Sequence, residues 1–403
     1  MKALIQAAKS TRSGANLEHA RRYNARLVFE AVRLYGPVAR IDIAHMTALT
    51  KQTIHNITAP LIEQGLIHEV RGNSNGRRGA PFGLLELNTT GAYAVGLYLD
   101  RERLTGLLVN LSGAICARVV HEISFSPPEE ALPLMIETAQ TLINGIDRAR
   151  VRGVGVGIPG FIKTFGSDTA TSVVNPNNFP GWNNVPVVEK LAEPLALPVF
   201  LEKDSTAAAI SESYYGAGRT IPTFLYIFLT IGIGGGIIVE GQPVAGFGGN
   251  AGEIGFYPTG FDEQGEVERL WRYFHLPFLF QELTADVRVS SLIEIATLLE
   301  AKNATVVAWL ESAARHLALA LTGIEFALDP EAIVIGGSWP MSLVEYLLDR
   351  LTVYLAPLRV ERKGYQSVLL AGQAGADAAA LGVATLPIYN TLAPHLNLLF
   401  KER

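Results

Sequence analysis

Residues 223–239 have the sequence Thr-Phe-Leu-Tyr-Ile-Phe-Leu-Thr-Ile-Gly-Ile-Gly-Gly-Gly-Ile-Ile-Val. The aliphatic and aromatic runs Thr223–Ile231 and Gly235–Val239 are each the length of a buried strand, and glycines separate them. The same glycines keep the segment short of the roughly 18 uninterrupted apolar residues that cross a bilayer. The pattern therefore predicts two adjacent strands of a buried sheet.

Similar apolar runs occur on both sides of this pair. Before it, the patterns predict strands at Tyr93–Leu99, Leu104–Asn110, Cys116–Ile123, Val151–Val156 and Val199–Glu202, with helices at about Glu129–Arg148 and Val187–Ala192. After it come several helices and a strand at Ala332–Ile335. Two β-rich halves with interleaved helices predict an α/β body with a ligand cleft between two lobes, at about residues 89–196 and 197–403.

The composition limits the class of protein. The chain has 403 residues, is 49% hydrophobic and 18% charged, and contains one cysteine, Cys116. These values predict a globular protein of two or three domains without an internal disulfide or a multi-cysteine zinc site. No signal sequence is evident at residues 1–14, so we expect a cytoplasmic protein with no membrane partner.

Charge is distributed unevenly along the chain. Residues 1–88 contain twelve Lys or Arg and six Asp or Glu, a net charge of +6. Because the whole chain carries −5, residues 89–403 carry −11. A basic head on an acidic body indicates that the head binds a polyanion, which we expect to be double-stranded DNA.

The basic head has the pattern of a helix-turn-helix. Amphipathic helices are predicted at Arg26–Tyr35 and at about Arg40–Thr47, and Thr50 is placed to cap a third helix, in which Ile54 and Ile57 lie on one face. Pro60 is expected to bend this third helix. A small helical packing domain is the alternative.

A hairpin is predicted after the third helix, from Leu66–Val70 to about Phe82–Leu87. Together with the helices it predicts a winged helix-turn-helix domain over residues 1–88. Gln and Asn pair with adenine edges, while Lys and Arg bind guanine or phosphate. The DNA-binding candidates are Arg40, Lys51, Gln52, Thr53, His55, Asn56, Arg71, Arg77 and Arg78.

Six short motifs occur in a fixed order along the remainder of the chain. They are Gly157-Ile-Pro-Gly160, Asn178-Phe-Pro-Gly-Trp182, Glu202-Lys-Asp204 followed by Ala207–Ala209 and Glu212, Thr230–Gly236, Gly249–Gly255 and Ile335-Gly-Gly337. In this order the chain resembles the ROK (repressor, ORF, kinase) family from about residue 20 to 390. The resemblance implies an actin-like, sugar-kinase-like (ribonuclease H-like) domain over residues 89–403, and regulator members of the family have an N-terminal winged helix.

The resemblance also implies a sugar site. Asp204 matches the general base of the family's kinases, and Glu253 and Glu268 match glutamates that contact sugar hydroxyls. Carboxylates suit this role because each oxygen accepts hydrogen bonds from hydroxyl groups. A helix cap is the alternative for Asp204. The effector-binding candidates are Gly160, Asn178, Lys203, Asp204, Glu253, Phe256 and Glu268.

The chain departs from the family pattern at its phosphate loop. The motif Asp-x-Gly-x-Thr is expected near Tyr98–Glu102, where Asp100 replaces the glycine and Glu102 the threonine. Two carboxylates repel a nucleotide, and a side chain blocks close approach of the backbone to a phosphate. We therefore expect no kinase activity and no cofactor, with Asp204 as a vestigial base.

Two further departures concern the effector site. The family's zinc-binding histidine and cysteines match Phe256, Thr259, Phe261 and Glu266, so no metal is expected, and packing of aromatic residues is expected to order residues 257–265 instead. Lys203 replaces the asparagine that usually precedes the aspartate. It either forms an ion pair with a neighbouring acid or binds an anionic group on the effector.

These observations predict a transcription regulator of carbohydrate metabolism, acting as a repressor whose operator affinity depends on a bound sugar or sugar derivative. A homodimer or homotetramer is expected, because symmetric regulators bind paired half-sites. Two alternatives stay open. One is an ATP-dependent sugar kinase with an appended DNA-binding domain. The other is a DNA-bound scaffold that docks a protein partner through the amphipathic tail Leu386–Phe400.

Overall fold

The computed structural model describes residues 17–71, 83–163, 173–175, 181–283, 289, 291–359 and 366–393. The helices are α1 (Leu17–Tyr35), α2 (Arg40–Thr47), α3 (Lys51–Glu63), α4 (Pro128–Ile143), α5 (Val187–Leu195), α6 (Asp204–Tyr215), α7 (Leu276–Leu283), α8 (Leu292–Glu300), α9 (Ala304–Leu328), α10 (Met341–Leu358) and α11 (Ala378–Leu392). The strands are β1 (Val38–Ala39), β2 (Ile67–Arg71), β3 (Gly83–Leu87), β4 (Tyr93–Leu99), β5 (Arg103–Asn110), β6 (Ile115–Glu122), β7 (Val151–Ile158), β8 (Phe161–Lys163), β9 (Val173–Asn175), β10 (Val199–Lys203), β11 (Phe224–Leu229), β12 (Ile233–Val239), β13 (Gln242–Pro243), β14 (Pro258–Phe261), β15 (Val267–Arg269), β16 (Ala332–Gly337) and β17 (Val368–Ala371).

Three helices and a small antiparallel sheet of order β1-β3-β2 form the N-terminal part. Helix α2 has the predicted bounds, whereas α1 begins nine residues before the predicted Arg26. The Thr50 hydroxyl accepts from the backbone N–H of Thr53 and caps α3, as predicted, and α3 continues through Pro60. Ile54 and Ile57 are buried against the other two helices, so the polar side of α3 faces solvent.

The first large sheet has the order β10-β7-β4-β5-β6, in which β10, β7 and β4 are parallel and β4, β5 and β6 are antiparallel. Helices α4 and α5 cover one face, and α11 packs on the other. Gly96 and Gly155 permit that packing, because a Cβ atom at either position would lie within 2.5 Å of a main-chain oxygen of α11. The close approach therefore requires glycine at both positions.

The second large sheet has the order β13-β12-β11-β16-β17. Strands β11 and β12 pair antiparallel, Leu229 opposite Ile233, as the opening segment of the sequence predicted. Helices α7 to α10 pack on one face of this sheet and α6 packs on the other. Helices α6 and α11 also contact each other extensively, so this helix pair lies between the two sheets.

Two details of the predicted architecture were wrong. The lobe boundary at residue 196 does not follow the sheets, because β10 pairs with β7 in the first sheet and α11 returns to that sheet from the end of the chain. The helix predicted to reach Arg148 ends at Ile143, and Gly145 follows with a positive φ of 81°. Pairing of distant strands is set by tertiary packing, which local patterns do not encode.

The proposed docking tail is also corrected in its described part. Leu386, Ile388 and Tyr389 are buried in α11, so core packing accounts for their apolar character up to Ala393. Residues 394–400 of that tail lie outside the described residues. Within the described part of the chain, no helix is long and apolar enough to cross a membrane.

Candidate functional site

The ends of two parallel strands define the candidate effector site. Strands β7 and β10 pair in register, Ile158 opposite Lys203, so both end at the same edge of the first sheet. Helix α6 begins directly after β10, at Asp204. Gly160 follows β7 with a φ of 98°, a left-handed conformation that favours glycine. Ligands of α/β proteins bind at such carboxyl ends of parallel strands.

Lys203 connects this edge to the second lobe. Its side chain is 1% exposed, and its Nζ atom lies 3.0 Å from Oε1 of Glu253. The same Nζ donates to the main-chain oxygen of Ala251 at 2.7 Å. Of the two alternatives for Lys203, the structure thus contains the ion pair. Glu253 remains 27% exposed, so part of its carboxylate faces solvent.

Asp204 lies next to this ion pair. Burial raises its pKa to about 6, and the nearby carboxylates of Glu253 and Asp100 act in the same direction. The Ser205 N–H, which donates to Asp204 Oδ1 at 2.6 Å, and the Lys203 charge act in the opposite direction. The structure therefore brings Lys203, Asp204 and Glu253 together, as the sequence motifs predicted. The helix-cap alternative for Asp204 is not observed, because Lys203 is the N-cap residue of α6 and no side chain forms a capping hydrogen bond there.

Glu202 precedes these residues and was not assigned a role from the sequence. Its side chain lies on the opposite side of β10 from Lys203, since neighbouring strand residues alternate. Burial raises the pKa of Glu202 to about 7, although the Lys203 N–H donates to its Oε1 at 2.9 Å. Burial raises the pKa of the Tyr389 hydroxyl on α11, and the nearby Glu202 carboxylate acts in the same direction. The edge therefore holds two carboxyl groups that titrate near neutrality.

The loop between β4 and β5 contains the residues that the sequence matches to the family's phosphate loop. Asp100 Oδ1 accepts from the backbone N–H groups of Glu102 at 2.7 Å and Arg103 at 2.8 Å. Burial raises the pKa of Asp100. Arg101 and Arg103 are neighbours of Asp100 and Glu102 in the chain, so the expectation that two carboxylates repel a nucleotide left out two cations. The local obstacle to an anion is instead that a carboxylate of the chain already occupies two loop amides.

Asn250 joins the two lobes beside the site. Its Oδ1 accepts from the Ile162 N–H at 3.0 Å, and its Nδ2 donates to the Ile162 carbonyl at 3.0 Å. A side-chain amide thus replaces a strand partner for β8. In the sequence, Asn250 is recognisable only as part of the Gly249–Gly255 motif, because no local pattern indicates a contact with a residue 88 positions away.

Two effector candidates lie in a different local environment. Glu268 is on β15, and its Oε2 accepts from the Tyr273 hydroxyl at 2.8 Å. Phe256 ends a short 3-10 helix and is 38% exposed. No hydrogen bond or ion pair described for Glu268 joins it to Lys203, Asp204 or Glu253. Asn178 lies outside the described residues.

The hairpin β14–β15 contains Thr259 and Phe261, two of the positions that the sequence analysis matched to zinc ligands. Phe261 is 73% exposed, so aromatic packing of this residue does not order the segment as expected. Asp262 does, because its Oδ1 accepts from the N–H groups of Gln264 and Glu266 in the turn. Tyr257 packs on the core of the second lobe, whereas Phe256 and Phe261 are exposed.

The DNA-binding candidates of α3 share one solvent-facing side. The exposed members are Lys51, Gln52, His55 and Asn56, and Thr53 is half-buried. The Gln52 Nε2 donates to Asn56 Oδ1 at 2.9 Å, which aligns two amide side chains on adjacent turns. Thr53 is engaged with the cap, its hydroxyl 2.8 Å from that of Thr50. This side of α3 presents polar groups, and residues 51–56 include no acidic side chain.

Arg40 differs from the other candidates. Its Nη2 lies 2.5 Å from Glu69 Oε1, and its Nε donates to the Thr58 hydroxyl at 3.1 Å. These contacts hold α2, α3 and β2 together, so the Arg40 guanidinium is engaged within the head in this structure. Arg71 is exposed at the end of β2, whereas Arg77 and Arg78 lie outside the described residues.

A large cavity lies away from both sites. It is a groove of about 940 Å³ between the 3-10 helix Leu270–Tyr273, α7 and α9, with Arg272 and Trp309 among its lining residues. Its lining includes none of Lys203, Asp204 or Glu253. The chemistry at the ends of β7 and β10, rather than cavity size, therefore identifies the candidate site.

Comparison with known proteins agrees with this arrangement. The model of the ROK family matches residues 95–389, which is well over half of the chain. The chain belongs to the ROK family. This ROK protein is 24% identical to the xylose repressor of Bacillus spizizenii, over 92% of its own length and 96% of that protein. It is also 28% identical to the N-acetylglucosamine repressor of Escherichia coli O6:H1, over 60% of its length and 58% of that protein.

Solved structures of ROK proteins share the fold. A ROK family transcriptional regulator, a homologue of the E. coli MLC protein, superposes with a TM-score of 0.75 and 22% sequence identity. The superposition covers 94% of this ROK protein and 99% of the regulator's chain. The ROK hexokinase of Thermus thermophilus superposes with a TM-score of 0.59 and 26% sequence identity. The superposition covers 74% of this ROK protein and 99% of the hexokinase chain. The fold is therefore the mixed α/β fold common to ROK regulators and kinases.

Proposed function

We propose that this ROK protein is a DNA-binding transcription repressor whose operator affinity is controlled by a sugar or sugar derivative bound beside Asp204 and Glu253. In this proposal residues 1–88 form a winged helix-turn-helix, residues 89–403 form the effector-binding domain, and the protein acts as a symmetric oligomer. The observation that carries it is the exposed polar side of α3 on a head of charge +6. Full-length similarity to a xylose repressor supports the same reading.

The exposed side of α3 suits the major groove. A recognition helix contacts base edges with its N-terminal residues, and Lys51, Gln52, His55 and Asn56 occupy the first two turns of α3. Amide side chains form bidentate pairs with adenine, and Lys binds guanine or phosphate. Arg71 at the end of β2 is placed for the phosphate backbone. Arg40 is assigned to the packing of the head instead.

The acidic edge suits a neutral polyol. Asp204 and the exposed part of Glu253 offer acceptors for hydroxyl groups, and Gly160 lies at the same strand ends. Lys203 already binds Glu253, so its charge is not free to select an anionic group. We therefore favour a neutral sugar over a sugar acid or sugar phosphate. Glu268, Phe256 and Asn178 remain candidates for contacts on the outer part of the ligand.

A sugar kinase is the second candidate, because Asp204 is retained and a ROK hexokinase is 26% identical. Phosphoryl transfer requires backbone and side-chain groups around the transferred phosphate. Asp100 occupies the Glu102 and Arg103 amides that a phosphate oxygen would need. This contact favours the regulator over the kinase.

Two measurements test the proposal. Selection from a randomised duplex library by the full-length protein should yield a defined site that binds with a steep loss of affinity as salt rises. Calorimetry should then detect binding of xylose or N-acetylglucosamine, weakened at least tenfold by Asp204→Asn. Absence of any selected duplex would refute the DNA-binding role. Robust phosphorylation of either sugar by ATP would establish the kinase instead.

A further inference from the structure

Helix α6 connects the candidate effector site to the N-terminal head. It begins at Asp204 and ends at Tyr215. Twelve residues at 1.5 Å each give a length of about 18 Å. Nearly all of its side chains, including Ser205, Ile210 and Tyr214, are buried between the two sheets. A close-packed helix shifts as a unit, so a displacement at its first turn reaches its last turn.

The far end of α6 meets helix α1 of the head. The Arg33 guanidinium lies 4.3 Å from the centre of the Tyr214 ring. Arg33 also donates from Nε and Nη2 to the two carboxylate oxygens of Glu30, at 2.8 and 2.6 Å. The Arg33 side chain is only 10% exposed. A desolvated cation over an aromatic face is a directional contact, so its strength depends on where the ring lies.

Helix α11 packs against α6 and contacts the same head helix. Glu212 of α6 accepts from the N–H groups of Ala217 and Ala374, which anchors α6 to the segment leading into α11. At the other end of α11, Arg26 of the head donates to the carbonyls of Asn390 and Ala393. Helix C-terminal carbonyls lack partners within the helix and accept such cations.

The contact between head and body leaves room for reorientation. A cavity of about 620 Å³ lies beside the Arg33–Tyr214 contact, with Arg219 and Gln242 among its lining residues. On the other side of α1, apolar residues of the head share a core with Leu381 of α11. The head is thus attached by an apolar contact on one side and by a polar contact beside a cavity on the other.

We propose that Tyr214 and Arg33 are positioning residues that transmit occupancy of the Asp204–Glu253 site to the orientation of the DNA-binding head. The inference rests on the proposed function. A ligand between Asp204 and Glu253 displaces the first turn of α6, the buried helix carries the displacement to Tyr214, and the ring changes its contact with Arg33. The head then presents α3 differently to an operator.

Reciprocity allows a test that does not depend on the identity of the sugar. If the ligand site affects DNA binding, DNA must affect the ligand site equally. The probe is the duplex that the full-length wild-type protein selects from a randomised library. Hydrogen exchange is measured at the amides of residues 204–207 with and without this duplex, for wild type, Tyr214→Leu and Tyr214→Phe.

We expect the duplex to change exchange at residues 204–207 at least threefold in wild type. Tyr214→Phe keeps the ring and should keep the response, whereas Tyr214→Leu should abolish the response although the folded variant still binds the duplex. A purely structural role for Tyr214 would lower stability without removing the response. The same response in Tyr214→Leu, or none in wild type, would overturn the inference.

A second arm uses xylose and N-acetylglucosamine directly. Whichever sugar binds wild type should change its duplex affinity by about 5- to 150-fold, the usual range of allosteric coupling. In Tyr214→Leu that ratio should fall towards 1 with the sugar Kd changed by less than about threefold. Failure of wild type to select any duplex counts against the proposed function. A bound duplex with an unaltered ratio in Tyr214→Leu counts against the coupling alone.

Discussion

The Lys203 ammonium group and the Glu253 carboxylate form an ion pair of 3.0 Å across the edge where the two lobes meet. The pair joins the last residue of β10 to the loop that follows β13, and the Ala251 carbonyl accepts a further hydrogen bond from the same ammonium group. Because Lys203 is almost fully buried, Glu253 and the Ala251 carbonyl replace water as the partners of its ammonium group. The ion pair therefore fixes the position of one candidate effector-binding residue, Glu253, relative to another, Asp204.

Breaking this ion pair should be costly. Lys203→Met leaves Glu253 without its cation and should lower the free energy of unfolding by about 3 kcal/mol, near the lower end for buried pairs because Glu253 is partly exposed. Denaturant unfolding measures the change. The double variant Lys203→Met/Glu253→Gln should recover at least half of the loss. Equal stability of Lys203→Met and wild type would contradict the role given to the pair.

Stability should depend on pH through Glu202. Its pKa rises from 4.5 to about 7 on folding, so the folded state binds this proton more tightly than the unfolded state. Unfolding then releases a proton between these values, and stability falls as pH rises through that window. The change should be about 1–3 kcal/mol, from roughly 1.4 kcal/mol per pKa unit.

The matched variant is Glu202→Gln, which keeps an acceptor for the Lys203 N–H but does not titrate. The difference in unfolding free energy between wild type and Glu202→Gln should therefore change with pH between 4.5 and 7. The contribution of Asp204, whose pKa is about 6, is present in both proteins and cancels. A pH-independent difference would show that Glu202 titrates normally in the folded protein.

DNA recognition should depend on the first half of α3. Gln52→Ala and Asn56→Ala should each weaken binding to a selected duplex by about 1–3 kcal/mol, the range for a bidentate base contact. Fluorescence anisotropy at fixed salt measures the affinity. Gln64→Ala is the matched control, because Gln64 is also exposed but lies at the C-terminal end of α3. Equal losses for Gln52→Ala and Gln64→Ala would exclude a specific recognition face.

The Asp100 carboxylate should stabilise its loop. Asp100→Ala removes the acceptor of two backbone N–H groups and should cost about 1–3 kcal/mol of unfolding free energy. Glu102→Ala, which removes an exposed carboxylate two residues away, should change stability by less than about 0.5 kcal/mol. Thermal denaturation of both variants provides the comparison. A larger loss for Glu102→Ala would contradict the assignment of the loop amides to Asp100.

The sequence predicted the elements of this protein more accurately than their arrangement. Strands β4 to β6 lie within one residue of their predicted bounds, since alternation and turn residues act over a few positions. The order of the motifs along the chain also predicted that Asp204 lies close to Glu253. The ion pair of Lys203 was one of the two alternatives predicted for that residue. The contact between Asn250 and Ile162 could not be predicted, because no local sequence pattern indicates a contact between residues 88 positions apart.

The residues alone therefore determined the α/β class, the cap at Thr50, the polar side of α3 and the acidic edge at Asp204. Tertiary structure decided that β10 joins the first sheet, that Arg40 is bound to Glu69 and that Tyr214 lies against Arg33. The physical reason is range. Hydrogen-bond caps and apolar periodicity are set by neighbours in sequence, whereas strand order and ion pairing depend on which distant groups packing brings within a few ångströms.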